Sequence, residues 1–158
     1  ETKMGPMARM DLRDTVHEQV SQSVEAGAEL ILGGKIPEQK GAWYPATILT
    51  DIPDNCPAAQ EELFGPVACI FRVRNEAEAI KLANDTKYGL GAAIFTKNIE
   101  NGERIAREEL NAGSCFVNEM VKSDPKVPFG GIGMSGYGRE MGKEGMLEFT
   151  NMKTVFVR

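Results

Sequence analysis

The sequence contains little of what metal sites, disulfide frameworks and membrane spans require. It has a single histidine, His17, and three cysteines, Cys56, Cys69 and Cys115, none of which belongs to a C-x-x-C pair. An odd number of widely spaced cysteines predicts neither a disulfide framework nor a zinc site. His17 has no Cys, Asp or His beside it at metal-ligand spacing, so we interpret it as a surface histidine. We therefore expect no metal site in this chain.

Long apolar runs and clusters of basic residues are also missing. No stretch approaches the roughly 20 apolar residues of a membrane span, and the first residues lack the pattern of a signal peptide. The net charge is −5, and Lys and Arg do not cluster, which disfavours nucleic acid or an anionic membrane as a partner. We expect a cytoplasmic protein. Because the chain starts at Glu1 rather than at methionine, we interpret it as a piece of a longer protein.

Helix and strand patterns alternate along the chain. Apolar residues at every fourth position predict a helix over residues 11–27, with Asp11 as its cap and Gly27 at its end. Further segments with a helical pattern are 77–84, the region around 105–110, and 143–149. Segments with a strand pattern are 29–32, 44–49, 67–73, 91–96 and 114–117. Strands separated by helices of this length predict an α/β fold, with a parallel sheet covered by helices.

The last residues predict one more strand. Residues 152–157 alternate strictly and are rich in β-formers, which is the pattern of a strand. Too little chain remains to pair with this strand locally, and an unpaired edge invites association. We therefore expect it to join a sheet of a second subunit or of an absent domain.

A glycine-rich stretch occupies Pro128–Glu140. So many glycines imply special dihedral angles or a close approach of backbone to another segment or a ligand. Gly131, Gly133 and Gly136 formally match the dinucleotide-binding pattern G-x-G-x-x-G. However, residues 123–128 carry two prolines and two charges, which is incompatible with a central strand, and too little chain follows for a complete βαβ unit. We therefore disfavour phosphate binding by these glycines.

A second cluster, Glu61–Pro66, places two adjacent carboxylates before an aromatic residue and a Gly-Pro turn. A solvated acidic turn is the simplest interpretation of a lone Glu-Glu pair. A ligand site is the alternative, since ligands bind at strand ends in α/β sheets and an aromatic ring beside a carboxylate suits a sugar.

These clusters occur together with other motifs, in one order along the chain: Glu61–Val67, Tyr88–Leu90, Gly113, Val117-Asn118, Pro128–Gly131, Ser135-Gly136, Gly138–Glu140 and Lys153–Val155. With these motifs, essentially the whole chain resembles the C-terminal third of an aldehyde dehydrogenase. Residues 121–129 most resemble NAD(P)-dependent succinate-semialdehyde dehydrogenases. The resemblance implies three parts: residues 1–134 within the catalytic domain, residues 135–150 as the glycine-rich crossing and a short helix, and residues 151–158 as a strand of the oligomerisation arm.

The resemblance also implies roles for individual residues. Glu62 would accept hydrogen bonds from the hydroxyls of the nicotinamide ribose of NAD or NADP, and Phe64 would pack against that ribose. Glu61 has no such role. Phe129 would line the aldehyde tunnel, and Ser123 matches the hydroxyl that binds the far carboxylate of succinate semialdehyde. Gly130, Gly131, Arg139-Glu140, Pro66 and Asn118 are interpreted as architecture.

In the reaction that the resemblance implies, a cysteine thiolate attacks the aldehyde, a hydride passes to the nicotinamide, and a carboxylate base activates the water that hydrolyses the thioester. In the family, both of these residues precede the segment present here, and none of the three cysteines matches the nucleophile's place. We expect part of an enzyme that does not turn over alone and self-associates through its C-terminal strand. The alternative is a non-catalytic binding or assembly module that has kept the scaffold. The choice between NAD and NADP stays open.

Overall fold

The computed structural model describes residues 4–158, which form two compact units, residues 4–73 and 74–158. Each is described by itself. The helices are α1 (Met10–Glu25), α2 (Pro57–Gln60), α3 (Glu76–Asn84), α4 (Ile99–Glu108) and α5 (Gly142–Leu147). The strands are β1 (Glu29–Leu32), β2 (Thr47–Thr50), β3 (Val67–Cys69), β4 (Gly91–Ile94) and β5 (Ser114–Val117). None of the helices in residues 4–158 is long and apolar enough to cross a bilayer.

Helix α1 forms where its apolar spacing predicts it. Val16 and Val20 are almost fully buried in the core of the first unit, and Gly27 follows the helix with φ +115°. The prediction of Asp11 as the cap is wrong. The N-cap residue is Arg9, and Asp11 lies in the first helical turn, where its carboxylate accepts hydrogen bonds from the Arg9 guanidinium. A carboxylate in the first turn is still favourable, because it faces the positive end of the helix dipole.

The first unit contains a three-stranded sheet in the order β1-β2-β3. Strands β2 and β3 are parallel, whereas β1 and β2 are antiparallel, with Glu29 opposite Thr50. The expectation of a parallel sheet is therefore wrong for β1. The reason lies in the connection, since residues 33–46 contain no helix that could carry the chain across the sheet, and parallel neighbours need such a crossover. The core beneath this sheet is formed by Val16, Val20, Ala28, Tyr44, Leu49, Ile52, Cys56 and Ala58.

Strand β3 is shorter than predicted. Pairing ends with Cys69 opposite Leu49, and Phe71 and Val73 are exposed rather than buried. The partner strand explains this difference, because β2 ends at Thr50 and the next residue, Asp51, has φ +47°. That left-handed residue turns the partner away, so the chain beyond Cys69 has no strand to pair with.

The second unit is built on the parallel pair β4 and β5, connected through α4. Ile105 of α4 is buried, and its helix packs against both strands. Asn75 and Asn98 are the N-cap residues of α3 and α4, and the side chain of each accepts a hydrogen bond from a backbone N–H of the first turn. This strand-helix-strand unit confirms the predicted parallel pairing with helical cover.

The predicted C-terminal strand is not confirmed. Within the part of the chain that the structure describes, neither sheet includes residues 151–158, and Met152 and Phe156 are exposed. Strands require a neighbour for their backbone hydrogen bonds. Pairing of this tail with a second subunit stays a prediction.

Candidate functional site

Residues 61–66 form a loop whose first residue is fixed. Helix α2 ends at Gln60, and the N–H of its C-cap residue, Glu61, donates to the carbonyl of Pro57 at 2.9 Å. Gln19 of α1 donates from Nε2 to Glu61 Oε2 at 2.8 Å and to the carbonyl oxygen of Glu62 at 3.3 Å. The carboxylate of Glu61 therefore holds the loop against α1.

The far end of the same loop is fixed as well. Leu63 packs against the buried core, and the Pro66 carbonyl accepts a hydrogen bond from the Thr47 N–H of β2 at 2.9 Å. Gly65 lies directly on α1, since a Cβ built there would stand 3.0 Å from Val16 Cγ2. The loop is therefore anchored at both ends, by hydrogen bonds and by packing.

Glu62 and Phe64 extend away from these anchors. Both are exposed, Phe64 at 71%, and no side chain or backbone group within residues 4–158 donates a hydrogen bond to the Glu62 carboxylate. Its two oxygens can accept hydrogen bonds from adjacent hydroxyl groups, and the Phe64 ring offers an apolar face two residues away. A solvated acidic turn and a ligand site both leave Glu62 and Phe64 exposed, and a ligand that contacts both residues would cover the Phe64 ring.

Strand β5 leads into the segment that carries Ser123. Directly after its end, Asn118 adopts φ +56°, and its side chain binds the backbone of Thr96, two residues beyond the end of β4. Asn118 Oδ1 accepts a hydrogen bond from the Thr96 N–H at 2.7 Å, and Asn118 Nδ2 donates to the Thr96 carbonyl at 2.8 Å. Asn118 thus has a structural use. Ser123 itself is exposed.

Phe129 is half-buried and is held by its backbone. Its N–H donates to the Glu140 carbonyl at 2.7 Å, and the Glu140 N–H donates to the Phe129 carbonyl at 2.6 Å. With Leu90, Tyr137 and Phe149, Phe129 lines an open pocket of about 390 Å³. Arg139, Glu140 and Glu148 also line this pocket, so its lining combines apolar and charged side chains.

The glycine-rich stretch brings backbone onto backbone. A Cβ at Gly113 would overlap the carbonyl of Gly130, and one at Gly145 would lie 2.6 Å from the carbonyl carbon of Glu140. The Ile132 N–H donates to the carbonyl of Gly89 at 3.0 Å. The close backbone approach predicted from the glycines is therefore present.

The formal G-x-G-x-x-G pattern does not form a phosphate loop. It contains a 3₁₀ turn, Gly133–Ser135, instead of the strand-to-helix transition that phosphate binding requires. The Met134 N–H donates to the Lys87 carbonyl at 2.8 Å, and Ser135 and Gly136 donate within the turn. These amides are already engaged and are not aimed at an anion.

The cysteines lie in surroundings unlike those of a catalytic thiolate. Cys56 is buried at 1% exposure. Burial raises the pKa of the Cys69 thiol, with a smaller contribution from Cys56, and burial also raises the pKa of Cys115. A nucleophilic cysteine needs a lowered pKa and an electropositive neighbourhood. All three cysteines are free thiols.

His17 is half-buried rather than on the open surface. Its ring contacts Tyr44 edge-on, with the ring centroids 5.8 Å apart, and Nδ1 lies 3.3 Å from the Tyr44 hydroxyl. Tyr44 is buried, and burial raises its pKa. In residues 4–158, no three His, Cys, Asp or Glu side chains converge in a group that could hold a metal ion.

The model of the aldehyde dehydrogenase family matches residues 1–155. The chain belongs to this family. It is 49% identical, over 99% of its length, to a probable NADP(+) succinate-semialdehyde dehydrogenase of Synechocystis sp., and covers 34% of that protein. It is 42% identical, again over 99% of its length, to the NAD(P)+ succinate semialdehyde dehydrogenase of Escherichia coli K12, and covers 34% of it.

Solved structures of aldehyde dehydrogenases have the same fold. A succinic semialdehyde dehydrogenase from Streptococcus pyogenes, solved with NADP+, superimposes with a TM-score of 0.95 at 36% identity, covering 99% of this chain and 34% of that one. An aldehyde dehydrogenase of Mycobacterium tuberculosis, solved with NAD+, superimposes with a TM-score of 0.92 at 36% identity, covering 98% of this chain and 32% of that one. The structural similarity confirms the α/β class. This chain spans about a third of the length of these relatives.

Sequence reasoning missed the residues that support the candidate site. Gln19 fixes Glu61 across 42 positions of the chain, and Val121 packs on Gly91. Neither contact has a local sequence pattern, because each joins segments that are distant along the chain. Only the Gly-Pro turn after Phe64 signals that the loop is tightly held.

Proposed function

We propose that this chain is the part of an NAD(P)-dependent aldehyde dehydrogenase that contacts the nicotinamide ribose and lines the aldehyde site. The observation that carries this proposal is the geometry of residues 61–66. Glu61 and Leu63 anchor the loop, whereas Glu62 and Phe64 extend into solvent. The ligand that we propose for this exposed pair is the cofactor.

The loop fits a ribose. A carboxylate with no internal hydrogen-bond donor among residues 4–158 can accept bonds from both hydroxyls of a ribose diol, and the neighbouring Phe64 ring can cover an apolar edge of the sugar. Because the nicotinamide ribose is common to NAD and NADP, this contact serves either cofactor. The bound cofactor would supply the hydride acceptor, and Glu62 and Phe64 would hold its nicotinamide end in place.

We propose succinate semialdehyde as the substrate, which several similar relatives carry in their names. Phe129 would form part of the wall around the aldehyde chain, and the exposed Ser123 hydroxyl would bind the far carboxylate. Oxidation would proceed through a cysteine thioester whose nucleophile and base precede this segment. The raised pKa of Cys69 and Cys115 supports placing the nucleophile elsewhere.

We also propose that the complete enzyme is a cytoplasmic homo-oligomer whose C-terminal strand, residues 151–158, completes a sheet of a second subunit. The support is the alternation of apolar residues in this tail and the exposure of Val155 and Val157. Such a row of exposed β-formers pairs readily with another strand.

The isolated chain is expected to show no NAD(P)-dependent oxidation of succinate semialdehyde, because the proposed nucleophile and base are outside it. The measurement is the appearance of reduced cofactor with either NAD or NADP. Turnover by the isolated chain that disappears on Cys69→Ala or Cys115→Ala would contradict the proposal. A coding region that continues upstream into a glycine-rich cofactor domain and a cysteine loop would support the enzyme over a non-catalytic assembly module.

A further inference from the structure

The segment that leads to Ser123 packs through Val121 against Gly91, the first residue of strand β4. A Cβ built on Gly91 would lie 2.5 Å from Val121 Cγ1 and 3.2 Å from Val121 Cγ2. The backbone of Gly91 is outside the left-handed region, so its conformation does not require glycine. Gly91 is needed for space, because the half-buried side chain of Val121 occupies the position of a side chain at residue 91.

Val121 is half-buried, whereas the other residues from Asn118 to Ser123 are exposed. Asn118 is fixed by its two hydrogen bonds to Thr96. Glu119 accepts hydrogen bonds from Lys122 Nζ at 2.9 Å and from the Met120 N–H at 3.0 Å, and its pKa is lowered chiefly by Lys122. Both members of this ion pair are more than half exposed, and exposed pairs contribute little to stability.

A turn fixes the chain on the other side of Ser123. Asp124 Oδ1 accepts a hydrogen bond from the Lys126 N–H at 2.9 Å, and the Asp124 carbonyl accepts one from the Val127 N–H at 3.2 Å. The Pro125 carbonyl accepts a further bond from the Gly142 N–H at 3.1 Å. Ser123 therefore lies between two anchors, the contact of Val121 with β4 and this turn.

We propose that Gly91 is a specificity-determining position, which sets the place of the Ser123 hydroxyl through Val121. This inference rests on the proposed function, in which Ser123 binds the distal carboxylate of the substrate. Val121 is β-branched and stiff about χ1, so a methyl group at residue 91 displaces the segment rather than only the side chain. Hydrogen bonds weaken steeply outside a narrow range of distance and angle, and a displaced hydroxyl would lose the carboxylate while the aldehyde end remains in place.

The test uses the complete enzyme that contains this chain. We expect Gly91→Ala to raise KM for succinate semialdehyde roughly tenfold or more, since small misplacements of binding groups have effects of this order. KM for butanal, which has no distal carboxylate, should change less than about twofold. In the double variant Gly91→Ala/Val121→Ala, the new methyl group fills the vacated space, and KM for succinate semialdehyde should return toward its original value.

Ser123→Ala separates the two proposals. If it raises KM for succinate semialdehyde but Gly91→Ala does not, or if Gly91→Ala affects butanal equally, the inference about Gly91 is wrong while the role of Ser123 stands. If Ser123→Ala has no effect, the proposed carboxylate contact is wrong.

Trypsin cleavage between Lys122 and Ser123, followed by mass spectrometry, tests the packing of Val121 on Gly91 directly. Faster cleavage in Gly91→Ala and in Val121→Ala, but not in the double variant, supports it, and unchanged cleavage in Gly91→Ala overturns it.

Discussion

Replacing Gly113 by alanine is expected to destabilise the second unit by at least about 4 kcal/mol, or to prevent it from folding. A Cβ at this position would overlap the backbone carbonyl of Gly130 and come within 3.2 Å of Gly131 Cα. Backbone atoms cannot move aside as the end of a flexible side chain can. The Gly113 N–H also donates to the Gly89 carbonyl at 3.0 Å, so separating the segments would break further contacts.

The measurement for Gly113→Ala is urea denaturation followed by circular dichroism. Gly5→Ala is the matched control, because no atom lies within 4 Å of a Cβ at Gly5 and its backbone is not left-handed. The control should change the free energy of unfolding by no more than about 0.5 kcal/mol. Equal midpoints for the two variants would show that the crossing at Gly113 is not as tight as described.

Glu62→Gln in the complete enzyme is expected to slow hydride transfer or weaken cofactor binding by about ten- to a hundredfold. Hydrogen bonds to a charged group contribute about 1.5–3 kcal/mol, and each 1.4 kcal/mol is a factor of ten. Glutamine keeps the size of the side chain and one acceptor oxygen, but it replaces the second acceptor with a donor that cannot accept from a ribose hydroxyl. The substitution therefore tests the carboxylate rather than the shape of the loop.

Glu61→Gln is the matched control for this experiment. Glu61 is adjacent and carries the same charge, but its carboxylate accepts a hydrogen bond from Gln19. We expect less than about a twofold change, because glutamine keeps an oxygen that can accept the hydrogen bond from Gln19, so the loop stays anchored. Single-turnover hydride transfer and the cofactor Kd, measured for both variants, give the comparison. Similar losses at Glu61 and Glu62 would point to loop disruption instead of a ribose contact.

Local patterns predicted the elements whose partners are near in sequence. The apolar spacing of Val16 and Val20 located helix α1, and the alternation between β4, α4 and β5 predicted their parallel pairing. The errors arose where a distant segment decides the outcome. Strand β3 ends early because its partner β2 turns at Asp51, and nothing in residues 67–73 themselves announces that turn.

For the candidate site, the sequence suggested the ligand-contacting residues but not the residues that hold them in place. The resemblance to aldehyde dehydrogenases assigned roles to Glu62, Phe64, Ser123 and Phe129, and those roles stay predictions. The supports of these residues could not be read from the sequence, because a hydrogen bond such as that from Gln19 to Glu61 depends on how α1 and the loop pack together. The glycines were easier to interpret, since a dense glycine cluster has few physical uses other than close backbone approach.

A crystal structure of the complete enzyme with NADP+ bound tests the central claim most directly. We predict that the Glu62 carboxylate accepts hydrogen bonds from the hydroxyls of the nicotinamide ribose, at the roughly 2.5–3.0 Å typical of O–H···O bonds, with the Phe64 ring packed against the same sugar. A cofactor whose nicotinamide ribose is bound by other residues, with the loop of residues 61–66 facing solvent, would contradict the account.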